Sequence, residues 1–134
     1  MLGWRTSEFP AFFTRSSGLP VDHRVESIDQ LARIIRTKWD LGLVGGVLVA
    51  NPIAPEHEPD PAVIDTAIET AVQEAQRQGI VGKQITPYLL RRVDELTAGL
   101  SLRSNVELVR ANARLAGALA VALCQPTRTA TLPK

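Results

Sequence analysis

The chain has 134 residues, enough for one domain with a real core, and small enough that a missing half would leave buried surface exposed. Its 45% hydrophobic and 22% charged content is that of a globular protein and excludes global disorder. Fifteen Lys and Arg against fourteen Asp and Glu give a net charge of +1, which argues against nucleic-acid binding, since that needs a clustered basic face.

Residues 1–25 mix aromatics, Pro, Ser and Gly and read as an irregular connecting segment. Ser27 followed by Gln30 is a capping-box pattern, and Ile28, Leu31, Ile34, Ile35 and Trp39 recur at helical spacing, so a helix runs to about Leu41 and stops at Gly42. Val47 to Ala50 is too short for a helix and is bounded by Asn51-Pro52, which predicts a buried strand. A stiff loop with Pro52, Pro55, Pro59 and Pro61 follows. Asp60-Pro61 then starts a helix whose stripe of Ile64, Ala67, Ile68, Ala71, Val72 and Ala75 ends at Gly79.

Thr86-Pro87 is the next start signal, with Leu89, Leu90, Val93 and Leu96 before Gly99. A last helix starts at Ser101 or Ser104, and from Asn105 to Leu123 its apolar residues occupy much of the circumference, which predicts cover on several sides. Residues 125–134 read as a flexible tail. One strand cannot form a sheet, so its partners lie either outside the chain or in the N-terminal segment. The expected class is α/β, with about four helices and one or two short strands.

Cys124 has no second thiol, which excludes an intrachain disulfide and a thiolate metal cage and fits a reducing, cytoplasmic setting. The uncharged run Leu115 to Leu123 falls far short of the roughly 20 residues that span a bilayer, so no membrane partner is expected. Arg5 and Glu8 interrupt any apolar signal core at the N-terminus.

Gly3-Trp4-Arg5-Thr6, followed by Glu8-Phe9-Pro10-Ala11-Phe12-Phe13 and Ser16-Ser17-Gly18, resembles a signature of the pseudouridine-5'-phosphate glycosidase family, also called indigoidine synthase A-like. The family pattern is Gly-Tyr-x-Thr-Asp-Glu-Phe-Pro-Ala-Phe-Tyr-x-x-Ser-Ser-Gly. Three further blocks resemble the family in order: Gly45-Gly46 through Ala50-Asn51-Pro52-Ile53, Gly79-Ile80 with Gly82-Lys83 and Thr86-Pro87-Tyr88-Leu89-Leu90, and Asn105-Val106 with Leu108-Val109 and Asn112-Ala113. Ala111 departs from it, standing where the family pattern has an Asn.

In that family the signature lies past the halfway point. The chain is therefore expected to be the C-terminal part of a larger α/β enzyme domain, residues 1–124, with the N-terminal half absent. The resemblance implies reversible cleavage of the carbon–carbon glycosidic bond of pseudouridine 5'-phosphate to uracil and ribose 5-phosphate, with manganese. It also implies a lysine nucleophile, a glutamate proton donor and an aspartate at the metal, all upstream of Glu8. None maps onto this chain, so no metal ligand is assigned here. A homo-oligomer, or an upstream half acting in trans, is the expected partner. The alternative is a non-catalytic structural or subunit-interaction module.

Two residues are singled out for the site. Asn105 is the candidate catalytic residue and Asn112 the candidate substrate-binding residue, because they lie two turns apart on one helix face and each carboxamide offers a donor and an acceptor. The structural alternatives are a helix cap for Asn105 and an interhelical hydrogen bond for Asn112. Lys38, Lys83 and Lys134 fit poorly as substitute nucleophiles, since such a lysine needs a desolvated pocket. His23 and His57 lack metal-ligand spacing and read as surface residues. Glu56, Glu58 and Asp60 read as a solvated acidic loop, and Trp4, Phe9, Phe12 and Phe13 as a cluster that packs against the rest of an enzyme.

Overall fold

The computed structural model describes residues 1–125. Most of the expected tail, residues 126–134, lies outside the described residues.

Three short strands form one parallel sheet: β1 (Leu2–Trp4), β2 (His23–Val25) and β3 (Val49–Ala50), in the order β2-β1-β3. Leu2 pairs with both His23 and Val49, so β1 is central. Of the two expected sources of partners for β3, the N-terminal segment is the one that supplies them, and the sheet has one strand more than the one or two expected. The α/β class is as expected. Gly3 fixes the close approach behind the central strand, since a Cβ there would sit 2.2 Å from the Thr6 carbonyl oxygen.

Four helices follow. The first, α1 (Ile28–Asp40), begins as its sequence dictates: the Ser27 hydroxyl accepts from Gln30 N–H at 3.2 Å, and Gln30 Oε1 accepts from Glu26 N–H at 3.0 Å. The second, α2 (Pro61–Arg77), is capped by Asp60 through the Ala62 N–H at 2.9 Å and ends before Gly79 at φ +66°.

The third helix, α3 (Ile85–Leu96), starts just before the Thr86-Pro87 signal, leaving Pro87 in the first turn, where its missing N–H costs nothing. The fourth, α4 (Leu100–Cys124), starts straight after Gly99, which takes φ +80° as its N-cap. Neither Ser101 nor Ser104 is the cap; both are buried.

Two small cores result. Leu2, Val25, Leu31 and Ile35 pack where α1 covers the sheet, joined by Leu119 and Leu123 of α4. Ala67, Ala71 and Val93 pack between α2 and α3, joined by Phe13. The aromatic residues thus do not form one cluster, since Trp4 packs on the first core and Phe13 on the second.

Helix α4 links the cores, and Arg36 ties its end to α1 by donating to the carbonyls of Ala122 (2.5 Å), Leu123 (3.0 Å) and Gln125. Cover on several sides is not what α4 has among the described residues. Leu102, Val109 and Val121 are each more than half exposed, although α1, α3 and the loops carrying Asn51 and His57 meet other parts of the helix.

Candidate functional site

The glycosidase-like signature folds into a loop closed by its own polar residues. Phe9 N–H donates to the Leu19 carbonyl at 2.7 Å, and Val21 N–H to the Ser7 carbonyl at 3.0 Å, zipping its two ends together. The Glu8 carboxylate closes the middle by accepting from Ser16 Oγ and from Gly18 N–H at 3.1 Å. The Ser16 hydroxyl first, and the Gly18 N–H next, hold the Glu8 carboxyl below the usual carboxylate range. Glu8, Ser16, Ser17 and Gly18 are thereby occupied in shaping the loop, which leaves Pro10 to Thr14 at its tip.

That tip meets two other segments. Phe12, Phe13, Asn51, Ile53, Asn105 and Leu108 line one cleft, so the signature loop, the Asn51-Pro52-Ile53 turn after β3 and the second turn of α4 converge there. The third sequence block adjoins it: Leu89 and Leu90 line an apolar cavity of about 210 Å³ together with Phe12 and Phe13, whose rings stand edge to face at 4.6 Å. The enclosed part of the first cleft is about 20 Å³, room for a water and not for a sugar, so these residues form one wall of a site.

Hydrogen bonds fix this wall from behind. The Arg15 guanidinium donates to the Ile53 carbonyl, and Arg15 N–H donates to the Glu58 carboxylate at 2.7 Å, which docks the signature loop on the Pro-rich loop. From the other side, Ser104 Oγ donates to the His57 carbonyl at 2.9 Å and holds the Pro-rich loop against α4. Two members of the supposed solvated acidic loop therefore have structural duties, Glu58 here and Asp60 as a helix cap.

Asn105 is the sixth residue of α4, past the turn whose N–H groups need capping, so the cap reading does not apply. Its side chain lines the cleft, and among the described residues nothing hydrogen-bonds it. Asn112 does not line the cleft. Its Oδ1 accepts from Asn51 Nδ2 at 2.8 Å, a helix-to-loop bond rather than an interhelical one. Asn51 is the cleft residue that the sequence reading missed. The signal was present in the Ala50-Asn51-Pro52-Ile53 block, where Asn51 was read only as the end of a strand.

The remaining candidates lie elsewhere. Lys38 Nζ donates to the carbonyls of Leu43, Val44 and Gly45 at 2.6–3.1 Å and so holds the turn after α1, while Lys83 is exposed in a short turn. His23 is exposed on β2, and His57 lies 3.9 Å from Glu107 in an open surface groove of about 680 Å³. That groove is charged and shallow, with Glu107 already paired to Arg110 at 2.5 Å, so the smaller cleft is the better-built site.

Among the described residues no three His, Cys, Asp or Glu side chains converge on one point, so they do not fit a manganese site. No described helix is long and apolar enough to cross a membrane.

The fold and its four converging blocks define a class. The family model described as "Indigoidine synthase A like protein" matches residues 1–122, and the chain belongs to that family. Among curated relatives, it is 55% identical over 123 residues to a pseudouridine-5'-phosphate glycosidase of Caldanaerobacter subterraneus subsp. tengcongensis, covering 92% of this chain and 40% of that protein. It is 52% identical, with the same coverage, to the glycosidase of Alkaliphilus metalliredigens.

Among solved structures it superposes on the prealnumycin C-glycosynthase AlnA in complex with ribulose 5-phosphate with a TM-score of 0.82 and 30% identity, covering 91% of this chain and 40% of that one. An indigoidine synthase A-like protein of Thermotoga maritima gives a TM-score of 0.79 at 35% identity, covering 92% and 40%. The chain thus spans about 40% of the length of the relatives it matches. It corresponds to their C-terminal part.

Proposed function

We propose that the chain forms one wall of the active site of a pseudouridine-5'-phosphate glycosidase, which reversibly cleaves the carbon–carbon glycosidic bond to give uracil and ribose 5-phosphate. The observation that carries this reading is the convergence of the signature loop, the Asn51 turn and Asn105 on one cleft. Two relatives of the same fold are named for related chemistry, one a glycosidase of a pentose-phosphate nucleoside and the other a C-glycosynthase seen with a pentose 5-phosphate.

In this reading Asn105 contacts the substrate. Its carboxamide donates and accepts toward a sugar hydroxyl or the amide edge of uracil. The lysine nucleophile, the glutamate acid and the manganese ligands belong to polypeptide outside this chain, and a homo-oligomer of the complete enzyme is the working assembly. The chain alone is then inactive, because nucleophile, acid and binding residues act as a unit.

The test uses two proteins: this chain alone, and the Caldanaerobacter enzyme with its matching C-terminal segment replaced by residues 1–124. With pseudouridine 5'-phosphate and manganese, uracil release is expected from the chimera and not from the chain alone. Turnover by the chain alone would require a nucleophile among its own residues. A folded but inert chimera, beside an active parent enzyme, would overturn the assignment.

A further inference from the structure

We propose that Asn51 is a second substrate contact facing the cleft beside Asn105, and that Asn112 is the residue that positions it. This rests on the glycosidase reading. Asn51 is half-buried, lines the cleft, and spends one N–H on Asn112 Oδ1 at 2.8 Å. Among the described residues nothing bonds its Oδ1, which leaves an acceptor and one N–H for a ligand.

In the structure Asn51 turns its nitrogen toward the Asn112 oxygen, so the carboxamide is held at one end and its own oxygen stays available. The turn itself is braced, since Arg15 and Ser104 fasten the loop on both sides. A side chain held this way loses little further freedom when a ligand arrives, the condition under which a polar contact contributes most to affinity.

The chemistry of the cleft names the part of the substrate involved. Among the described residues its lining contains no ionisable side chain: the polar members are Asn51, Asn105, Thr14 and Ser104, and the rest are apolar or aromatic. A phosphate would lack a cation there. Two carboxamides beside Phe12 and Phe13 suit a neutral group that carries a donor and an acceptor side by side. Sugar hydroxyls and the imide edge of uracil both have that pattern.

The test compares four versions of the chimera: unchanged, Asn51→Ala, Asn112→Ala and the double variant, with Asn51→Asp in reserve should Asn51→Ala fail to fold. Loss of Asn51 is expected to lower kcat/KM about tenfold or more, since an unmade polar contact costs roughly one power of ten. Asn112→Ala should cost less, and the double variant no more than Asn51→Ala alone, because Asn112 acts only through Asn51. Unchanged kcat and KM in a folded Asn51 variant would overturn the inference, as would additive losses in the double variant.

Calorimetric titration with uracil and with ribose 5-phosphate separately identifies the group, because Asn51→Ala should weaken one and spare the other. An inert unchanged chimera would count against the glycosidase reading alone. The same two titrations would then decide on Asn51, with equal binding of both ligands by the unchanged and Asn51→Ala forms overturning it.

Discussion

The Asp94 carboxylate, near the end of α3, accepts a hydrogen bond from Leu102 N–H in the first turn of α4 at 3.1 Å. The same oxygen takes the Ser101 hydroxyl at 3.2 Å, so a residue of one helix caps the next. Gly99, the residue at the N-cap position, has no side chain to do this.

Asp94→Ala should therefore destabilise the protein by about 1 kcal/mol, the typical loss on removing an N-cap. Chemical denaturation of the two forms measures it. Asp94→Asn should recover most of the loss, since its carbonyl still accepts. A variant as stable as the parent would mean that water replaces the carboxylate at no cost.

In the complete enzyme, Asn105→Ala should lower turnover by roughly tenfold or more while changing stability by less than about 0.5 kcal/mol. Val93→Ala should do the opposite. Val93 is buried against Ala67 and Ala71, and its truncation opens a void worth roughly 1–3 kcal/mol with little effect on kcat. The comparison is made by paired thermal melts and uracil-release rates. Asn105→Ala that melts early but keeps full specific activity would make the residue structural.

Stability should fall on the acid side through Glu74. The Arg92 guanidinium grips this carboxylate with two hydrogen bonds, at 2.6 and 3.0 Å, and holds its pKa below the usual carboxylate range. A depressed pKa in the folded state means that the unfolded chain binds a proton more readily, so the stabilisation is fully present above pH of about 4.5 and is lost as pH falls through the folded value. Glu74→Gln should thus lose stability at neutral pH and show a flatter decline below pH of about 5. Parallel acid limbs in the two proteins would show that the pair contributes nothing. Glu8, depressed by Ser16 and Gly18, adds to the same limb and remains in the variant as an internal reference.

The exposed apolar residues make a surface prediction. Phe12 is 63% exposed, Leu41 69% and Val44 94%, and Val106, Val109 and Val121 line α4 without cover among the described residues. Such a surface binds hydrophobic dyes. Dye fluorescence of the chain should be strong and should fall when the N-terminal portion of the Caldanaerobacter enzyme is added in trans. Weak dye binding by the chain alone would show that it covers these residues by itself, and the non-catalytic module would become the better reading.

Local chemistry was legible in the sequence. Ser27 with Gln30, Asp60 with Pro61, and the stops at Gly42 and Gly79 mark helix ends through bonds between residues a few positions apart, so the sequence alone determined most of α1 and α2. The family blocks likewise singled out Asn105 before any geometry was known. What the tertiary structure decided are the contacts between distant segments.

Strands β1 and β2 have three residues each, too few to show an alternating pattern, and they exist because β1 is paired on both sides. The start of α4 was misplaced because its cap comes from Asp94 on another helix. Asn51 and Asn105 line one cleft, and Asn51 is held by Asn112, through a loop-to-helix packing that has no periodicity to read. Hydrogen bonds that close over a few residues leave a signature in their order along the chain, whereas those made across the fold depend on how the helices and the sheet pack.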